Sequence, residues 1–259
     1  MFKPINDLKS CRILLCNDDG YSAEGIKVLE GVMNELSNDV WLVAPESEQS
    51  GMGHSITLQR PLRPRRVGEK KYSVDGTPTD CILLALHHIL ADKLPDLIIS
   101  GINMGPNLGD DVHYSGTIAA AMEGALQGVP SIALSQLLGE CFSWDIAKHY
   151  IPKLVESLCK NGWSSQNVIS INFPNTNLNS VSGVRLAKQG RHEVTDKLIV
   201  REDPKGEPYV WHGKPRRCDL SDPNADATLL LDGYVSVTAL NINLTDYEAH
   251  TSIKKIENI

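Results

Sequence analysis

Positive charge is in short supply in this sequence. Lys and Arg number 25 against 32 Asp and Glu, a net charge of -7. Affinity for a nucleic-acid polymer comes largely from clustered Lys and Arg displacing counterions, so an acidic chain argues against such a partner. The one basic cluster is Arg60, Arg63, Arg65, Arg66, Lys70 and Lys71, which reads as the solvated face of a loop or hairpin. Long apolar runs are missing too. No stretch approaches the roughly 20 apolar residues that span a bilayer, and residues 1–12 hold no apolar stretch of secretory-leader length. The expectation is a soluble cytoplasmic protein with no membrane partner. The six cysteines at 11, 16, 81, 141, 159 and 218 include no Cys-x-x-Cys pair, which excludes the usual zinc-knuckle and thioredoxin spacings. Several sit in apolar runs, as reduced buried thiols do. The aromatics, three Phe, seven Tyr and four Trp, form no cage or base-reading pattern.

What is present is alternation. Arg12–Cys16 is too short for a helix and apolar through its centre, as suits a strand buried on both faces of a parallel sheet. Ala23–Leu36 follows with apolar residues at helical spacing. Val40–Ala44, Leu97–Ser100, Ser131–Ser135 and Val168–Phe173 read as further strands. Thr79–Leu90, Thr117–Leu126 and Ile146–Cys159 read as helices. Residues 60–74, with Pro61 and Pro64, suit an irregular or hairpin insertion. Strands alternating with helices imply an α/β fold with a doubly wound, mostly parallel sheet of Rossmann-like kind. The expected organisation is a single domain over residues 1–259. Its core covers about 11–175. A polar, turn-rich extension with β-hairpins covers about 176–259, where Tyr209–Trp211 and Tyr234–Leu240 give strand signals.

In open α/β sheets, ligands bind beyond the carboxyl ends of the strands. The residues there are informative. Asn17-Asp18-Asp19-Gly20 follows the first strand, and adjacent carboxylates repel unless a proton or cation intervenes. Polar, glycine-containing loops follow the second and third strands and include Ser50 and Asn103. Two carboxylates with neutral oxygens suit a hard cation such as Mg²⁺, Mn²⁺ or Ca²⁺. Ser115-Gly116-Thr117 opens a small-residue helix, whose N-terminus suits an anion. The turn after the first strand lacks the Gly-x-Gly-x-x-Gly fingerprint of a dinucleotide site.

Taken together, Asn17-Asp18-Asp19-Gly20, Ser50-Gly51 with His54-Ser55, Gly76-Thr77-Pro78-Thr79-Asp80, Ser100-Gly101-Ile102-Asn103, Gly105-Pro106-Asn107-Leu108-Gly109 and Tyr114-Ser115-Gly116-Thr117 resemble the SurE family of nucleotidases. The likeness is strongest over residues 11 to 135. It implies one divalent cation per subunit, Mg²⁺ or Mn²⁺, held by Asp18, Asp19, Ser50 and Asn103. It implies contacts from Asn107, Ser115, Gly116 and Thr117 to a substrate phosphate, with Asp18 and Asp19 as catalytic residues. It implies hydrolysis of nucleoside 5′-monophosphates, with 3′-monophosphates and short polyphosphate as further substrates, by a cytoplasmic homodimer or homotetramer. His54 and His113 are candidates to protonate the leaving oxygen. Two rivals are weighed beside it. A haloacid-dehalogenase type phosphatase needs a second Asp two residues after its nucleophile, and the residue two after Asp18 is Gly20. A nonenzymatic nucleotide-binding protein would bind without releasing phosphate.

Overall fold

Two residue patterns set the architecture: short apolar runs make strands buried on both faces, and apolar residues three or four apart make the helices that cover them. A computed structural model describes residues 1–140, 142–193, 198–213, 217–249 and 253–254. Cys141 lies outside the described residues. In chain order the elements are β1 (Arg12–Cys16), α1 (Glu24–Leu36), β2 (Asp39–Pro45), β3 (Pro64–Gly68), β4 (Lys71–Val74), α2 (Pro78–Leu84), β5 (Leu97–Met104), α3 (Gly116–Leu126), β6 (Ser131–Gln136), α4 (Asp145–Asn161), β7 (Asn167–Phe173), β8 (Gly183–Leu186), β9 (Leu198–Glu202), β10 (Pro208–His212), α5 (Asp226–Leu231) and β11 (Tyr234–Asn241).

Nine strands form one mixed, mostly parallel sheet in the order β3-β4-β2-β1-β5-β6-β7-β11-β8. Successive residues of β1 face opposite sides. Ile13 and Leu15 pack with Leu29 and Met33 of α1 and with Ile151 and Val155 of α4. Leu14 and Cys16 pack with Ile82 of α2 and Ala120 of α3. Both faces are therefore covered, which is why β1 carries no polar alternation.

The basic insertion is a hairpin: β3 pairs antiparallel with β4, and β4 runs parallel to β2. Five of its six cations are matched, Arg60 and Arg63 with Asp75, Arg65 with Glu46, Lys70 with Asp39 and Lys71 with Glu30. Three differences from the sequence reading matter. The helix expected over 79–90 is α-helical only to Leu84, then widens over Ala85–Ile89, where the Leu90 N–H reaches the Ala85 carbonyl at 2.8 Å. β5 runs four residues past Ser100, with a register shift against β6 between Ser100 and Asn103, so Asn103 belongs to the strand. The chain also returns to the sheet after residue 175: β11 pairs antiparallel with β7, and β8 lies beyond it. Among the described residues, only the β9–β10 ribbon stands apart from that sheet.

β1 lies between β2 and β5. The chain leaves β1 towards β2 and β4, then comes back at β5 on the other side. Successive connections diverge there and open a crevice at the carboxyl ends of β1 and β5, where open α/β sheets place their ligands.

Candidate functional site

The loop at the end of β1 is held by a tight turn. Gly20 sits at φ +98°, a conformation that a side chain disfavours. The Asn17 side-chain amide donates to the Gly20 carbonyl at 2.9 Å, and the Tyr21 N–H to the Pro45 carbonyl at 2.8 Å. These bonds fix Asp18 and Asp19 at the crevice.

Asp18 is only 4% exposed, and its Oδ1 accepts a hydrogen bond from the Thr117 hydroxyl. Burial raises its pKa to about 6, the Thr117 bond opposes that rise, and the neighbouring charge of Asp19 adds to it. Asp19 is half-buried, and its Oδ2 accepts from the Met104 N–H at 3.3 Å. Its pKa is raised as well, chiefly by burial. Two adjacent carboxylates thus sit where burial and neighbouring acidic charge, Asp19 for Asp18 and Glu48 for Asp19, disfavour ionisation.

α3 points its N-terminus at this pair. Ser115 caps the helix by accepting from the Ile118 N–H at 3.1 Å. The approach is close because residue 116 is glycine: a Cβ there would lie 2.8 Å from Asp18 Cβ and 3.0 Å from Asp18 Oδ2. The helix N-terminus therefore offers amides and partial positive charge to an anion beside the aspartates.

The loop after β2 closes a third side. The Gln49 N–H donates to the Asp18 carbonyl at 2.7 Å, and the Gly53 N–H to the Tyr114 carbonyl at 2.9 Å. Ser50, between them, is exposed and donates to Glu48 Oε1 at 3.0 Å. Asp80 locks the far end of the loop. It accepts from the Thr57 N–H at 3.0 Å and the Thr57 hydroxyl at 2.6 Å, and it completes a capping box with Thr77. The helix cap is Thr77, and Thr77-Pro78-Thr79-Asp80 carries the capping-box spacing.

Asp18 is in direct contact with Thr117 and lies against Gly116, and Asp19 adjoins it in the chain. Ser50 and Asn103 lie one residue from backbone groups bonded to the aspartates, Gln49 and Met104. Asn103 Nδ2 is turned to the Gly105 carbonyl at 2.8 Å, which leaves its Oδ1 as a donor to a cation. Asn107 is buried deeper: its Nδ2 donates to Ser135 Oγ at 2.9 Å, and its backbone exchanges bonds with the Asn172 side chain. Ser135 stands opposite Asn103 in the β5–β6 register. Among the two histidines, His54 Nε2 faces Glu123 Oε2 at 2.9 Å, and that contact lowers the Glu123 pKa. His113 is exposed at the end of the turn preceding Tyr114.

Among the described residues, no three His, Cys, Asp or Glu side chains gather closely enough to hold a metal. A cation here would depend on two carboxylates completed by neutral oxygens. Sequence reasoning missed Glu123, which sits on α3, 69 positions from His54. It also missed Asp226, which accepts from the Gly109 N–H at 2.9 Å and the Gly190 N–H at 3.1 Å and so braces the loop after β5. No local pattern announces either contact.

The arrangement defines a doubly wound α/β protein with two adjacent carboxylates beside a helix N-terminus at the switch point of its sheet. The chain belongs to the SurE family: the family model described as Survival protein SurE matches residues 13–196. It is 50% identical over 246 residues to the 5′-nucleotidase SurE of Paramagnetospirillum magneticum, covering 94% of this chain and 95% of the relative. It is 47% identical over 251 residues to the 5′-nucleotidase SurE of Rhodospirillum rubrum, covering 95% and 96%. The crystal structure of the SurE protein from Aquifex aeolicus superposes with a TM-score of 0.84 at 37% identity, covering 95% of this chain and 99% of that one.

Proposed function

We propose that this chain hydrolyses nucleoside 5′-monophosphates to nucleoside and phosphate with one divalent cation. The observation that carries the reading is the burial of Asp18 beside Asp19 against the N-terminus of α3. The activity in the names of its relatives, 5′-nucleotidase, points the same way. The residues fit a hard cation, since Gly116 keeps the space beside Asp18 Oδ2 open and the carboxylates gain most from positive charge. Asp18, Asp19, Ser50 and Asn103 would hold Mg²⁺ or Mn²⁺, which supplies charge stabilisation on the phosphoryl group and a more acidic water.

The amides of Gly116 and Thr117 receive phosphate oxygens at the helix N-terminus. Asn107 gives one N–H to Ser135 and keeps a second for the phosphate. Asp18 is engaged by Thr117, so Asp19, the more open carboxylate, takes the proton from the attacking water. His113 would protonate the leaving oxygen, since His54 is turned to Glu123.

The test is inorganic phosphate release from a panel of 5′- and 3′-nucleoside monophosphates and short polyphosphate, with Mn²⁺, Mg²⁺ or chelator. Release from 5′-monophosphates that stops in chelator supports the proposal. Saturable nucleotide binding by folded protein with no release under any metal would replace the hydrolase with a binding protein.

The β9–β10 ribbon supports assembly as a homodimer or homotetramer. A lone two-stranded ribbon is marginal in water, and this one leaves Leu198, Val200, Val210 and Trp211 exposed. Light scattering on Trp211→Ser tests it, a smaller particle being the expected result. Among the described residues no helix is long and apolar enough to cross a membrane. The buried free thiols Cys11, Cys16, Cys81 and Cys159 suit a reducing, cytoplasmic compartment.

A further inference from the structure

Ser50 rides on a long loop. Residues 46–63, between β2 and β3, carry no helix or strand, and a segment of that length keeps one shape only where it is tethered. Its two ends are tied: the Gln49 N–H donates to the Asp18 carbonyl at 2.7 Å, and the Thr77 hydroxyl donates to the Ser55 carbonyl at 2.7 Å. The stretch between them contains Gly51 at φ +77° and Gly53 at φ +53°, so its backbone has wide freedom of its own. Two contacts dock that stretch on α3 and the turn before it. The Gly53 N–H meets the Tyr114 carbonyl, and His54 Nε2 lies 2.9 Å from Glu123 Oε2. Glu123 is the one charged residue of α3, and it is buried with both oxygens engaged, Oε1 accepting from Gln127 Nε2 at 2.8 Å. Gln127 Oε1 in turn lies 3.1 Å from His87 Nε2. A buried carboxylate is costly without partners, and the His54 bond does most to hold the Glu123 pKa down. Glu123 lies about two helical turns after Gly116, about 10 Å along the face that Gly116 turns to Asp18.

We infer that His54 is a positioning residue for the cation: its bond to Glu123 holds the Ser50 loop against α3, so that one helix fixes both the Ser50 hydroxyl and the phosphate cradle. The inference rests on the nucleotidase reading with Ser50 as a ligand. Ser50 donates to Glu48 Oε1 at 3.0 Å, and the charge of Glu48 reaches Asp19, so the course of this loop sets how Ser50 stands to the aspartates. A neutral serine oxygen adds affinity for a cation only where it is already in place. A loop released from α3 must be ordered each time the cation binds, and affinity falls by that cost. His54 therefore acts through Ser50 and not on the substrate. The competing role for the same imidazole is proton donation to the leaving oxygen.

The experiment measures Mn²⁺ binding by calorimetry without nucleotide. It also measures phosphate release from adenosine 5′-monophosphate across pH, at limiting and at saturating Mn²⁺. The samples are the full-length protein, His54→Ala, His54→Asn, His54→Gln, Glu123→Ala and the double variant His54→Ala with Glu123→Ala. His54 is exposed, so its variants leave the core undisturbed. Asparagine is too short to reach Glu123, and glutamine is long enough. His54→Ala and His54→Asn should weaken Mn²⁺ binding about ten-fold, with turnover recovered at saturating Mn²⁺ and the shape of the pH profile kept. His54→Gln should stay near wild type. The double variant should bind Mn²⁺ no more weakly than the weaker single variant, since both changes remove one contact. Unchanged Mn²⁺ affinity in His54→Ala and His54→Asn overturns the inference. Intact Mn²⁺ binding with turnover that saturating Mn²⁺ does not recover, and with one limb of the pH profile gone, overturns it too and makes His54 a proton donor. Wild-type protein that binds Mn²⁺ but releases no phosphate refutes the hydrolase reading, while a ten-fold loss of Mn²⁺ affinity in His54→Asn still supports the positioning role.

Discussion

Asp18→Asn should destroy turnover and yet stabilise the metal-free fold. Burial moves the Asp18 carboxyl from its ordinary 3.8 to about 6, and at about 1.4 kcal/mol per pKa unit the ionised form costs the apo-protein about 3 kcal/mol. The sign follows from the direction of the shift. The folded state binds the proton more tightly than the unfolded chain does. The contribution to stability is therefore fully present below about 3.8, declines as pH rises, and is lost above about 6. Asparagine is neutral at every pH, and its Oδ1 can still accept the Thr117 hydroxyl. Urea denaturation in chelator should show the variant up to about 3 kcal/mol more stable at pH 8, the gap closing towards pH 4. A cation at a hundred times its Kd should return about 2.7 kcal/mol to the wild type and little to the variant. A gap that is absent at pH 8, or that does not change with pH, would refute the argument that Asp18 is an unfavourably buried charge awaiting a cation.

Thr117→Val removes the hydroxyl that holds the Asp18 pKa down, so the acid limb of the pH profile for phosphate release should move to higher pH; an unmoved limb would count against the contact. Gly116→Ala puts a methyl 2.8 Å from Asp18 Cβ and should cost about 1–3 kcal/mol in chemical denaturation together with most of the activity. Native stability and turnover there would mean α3 approaches less closely. Asp80→Ala breaks a capping box and both bonds to Thr57, and should destabilise by about 2–4 kcal/mol while raising susceptibility to proteolysis between residues 46 and 57.

The parallel strands were readable because burial on both faces leaves a run such as Ile13-Leu14-Leu15 with no polar alternation, and little else of that length does so. β5 was read short because Gly101-Ile102-Asn103-Met104 mixes a glycine and an amide into the strand, the pattern expected of a loop. α5 and β8 went unread because residues 176–232 are polar and rich in turn formers, and their few apolar positions show no clear period. In the site, Asp18 beside Asp19 could be seen at once, since adjacent acids at a strand end are unusual. Pairing across the fold left no trace: Glu123 answers His54, and Asp226 answers Gly109 across 117 positions. Such contacts are decided by topology, which composition and spacing do not encode.

The reach of Asp226 has a consequence for how the protein comes into being. A nascent chain that has emerged only to residue 175 already contains every residue assigned here to the cation and the phosphate. It still lacks β11 to cover β7 and the carboxylate that ties Gly109 to Gly190. Domains fold as units when their long-range partners are available. The loops around Asp18 and Gly109 should therefore assume their native geometry only after α5 and β11 have left the ribosome, so that a half-made chain should be inactive.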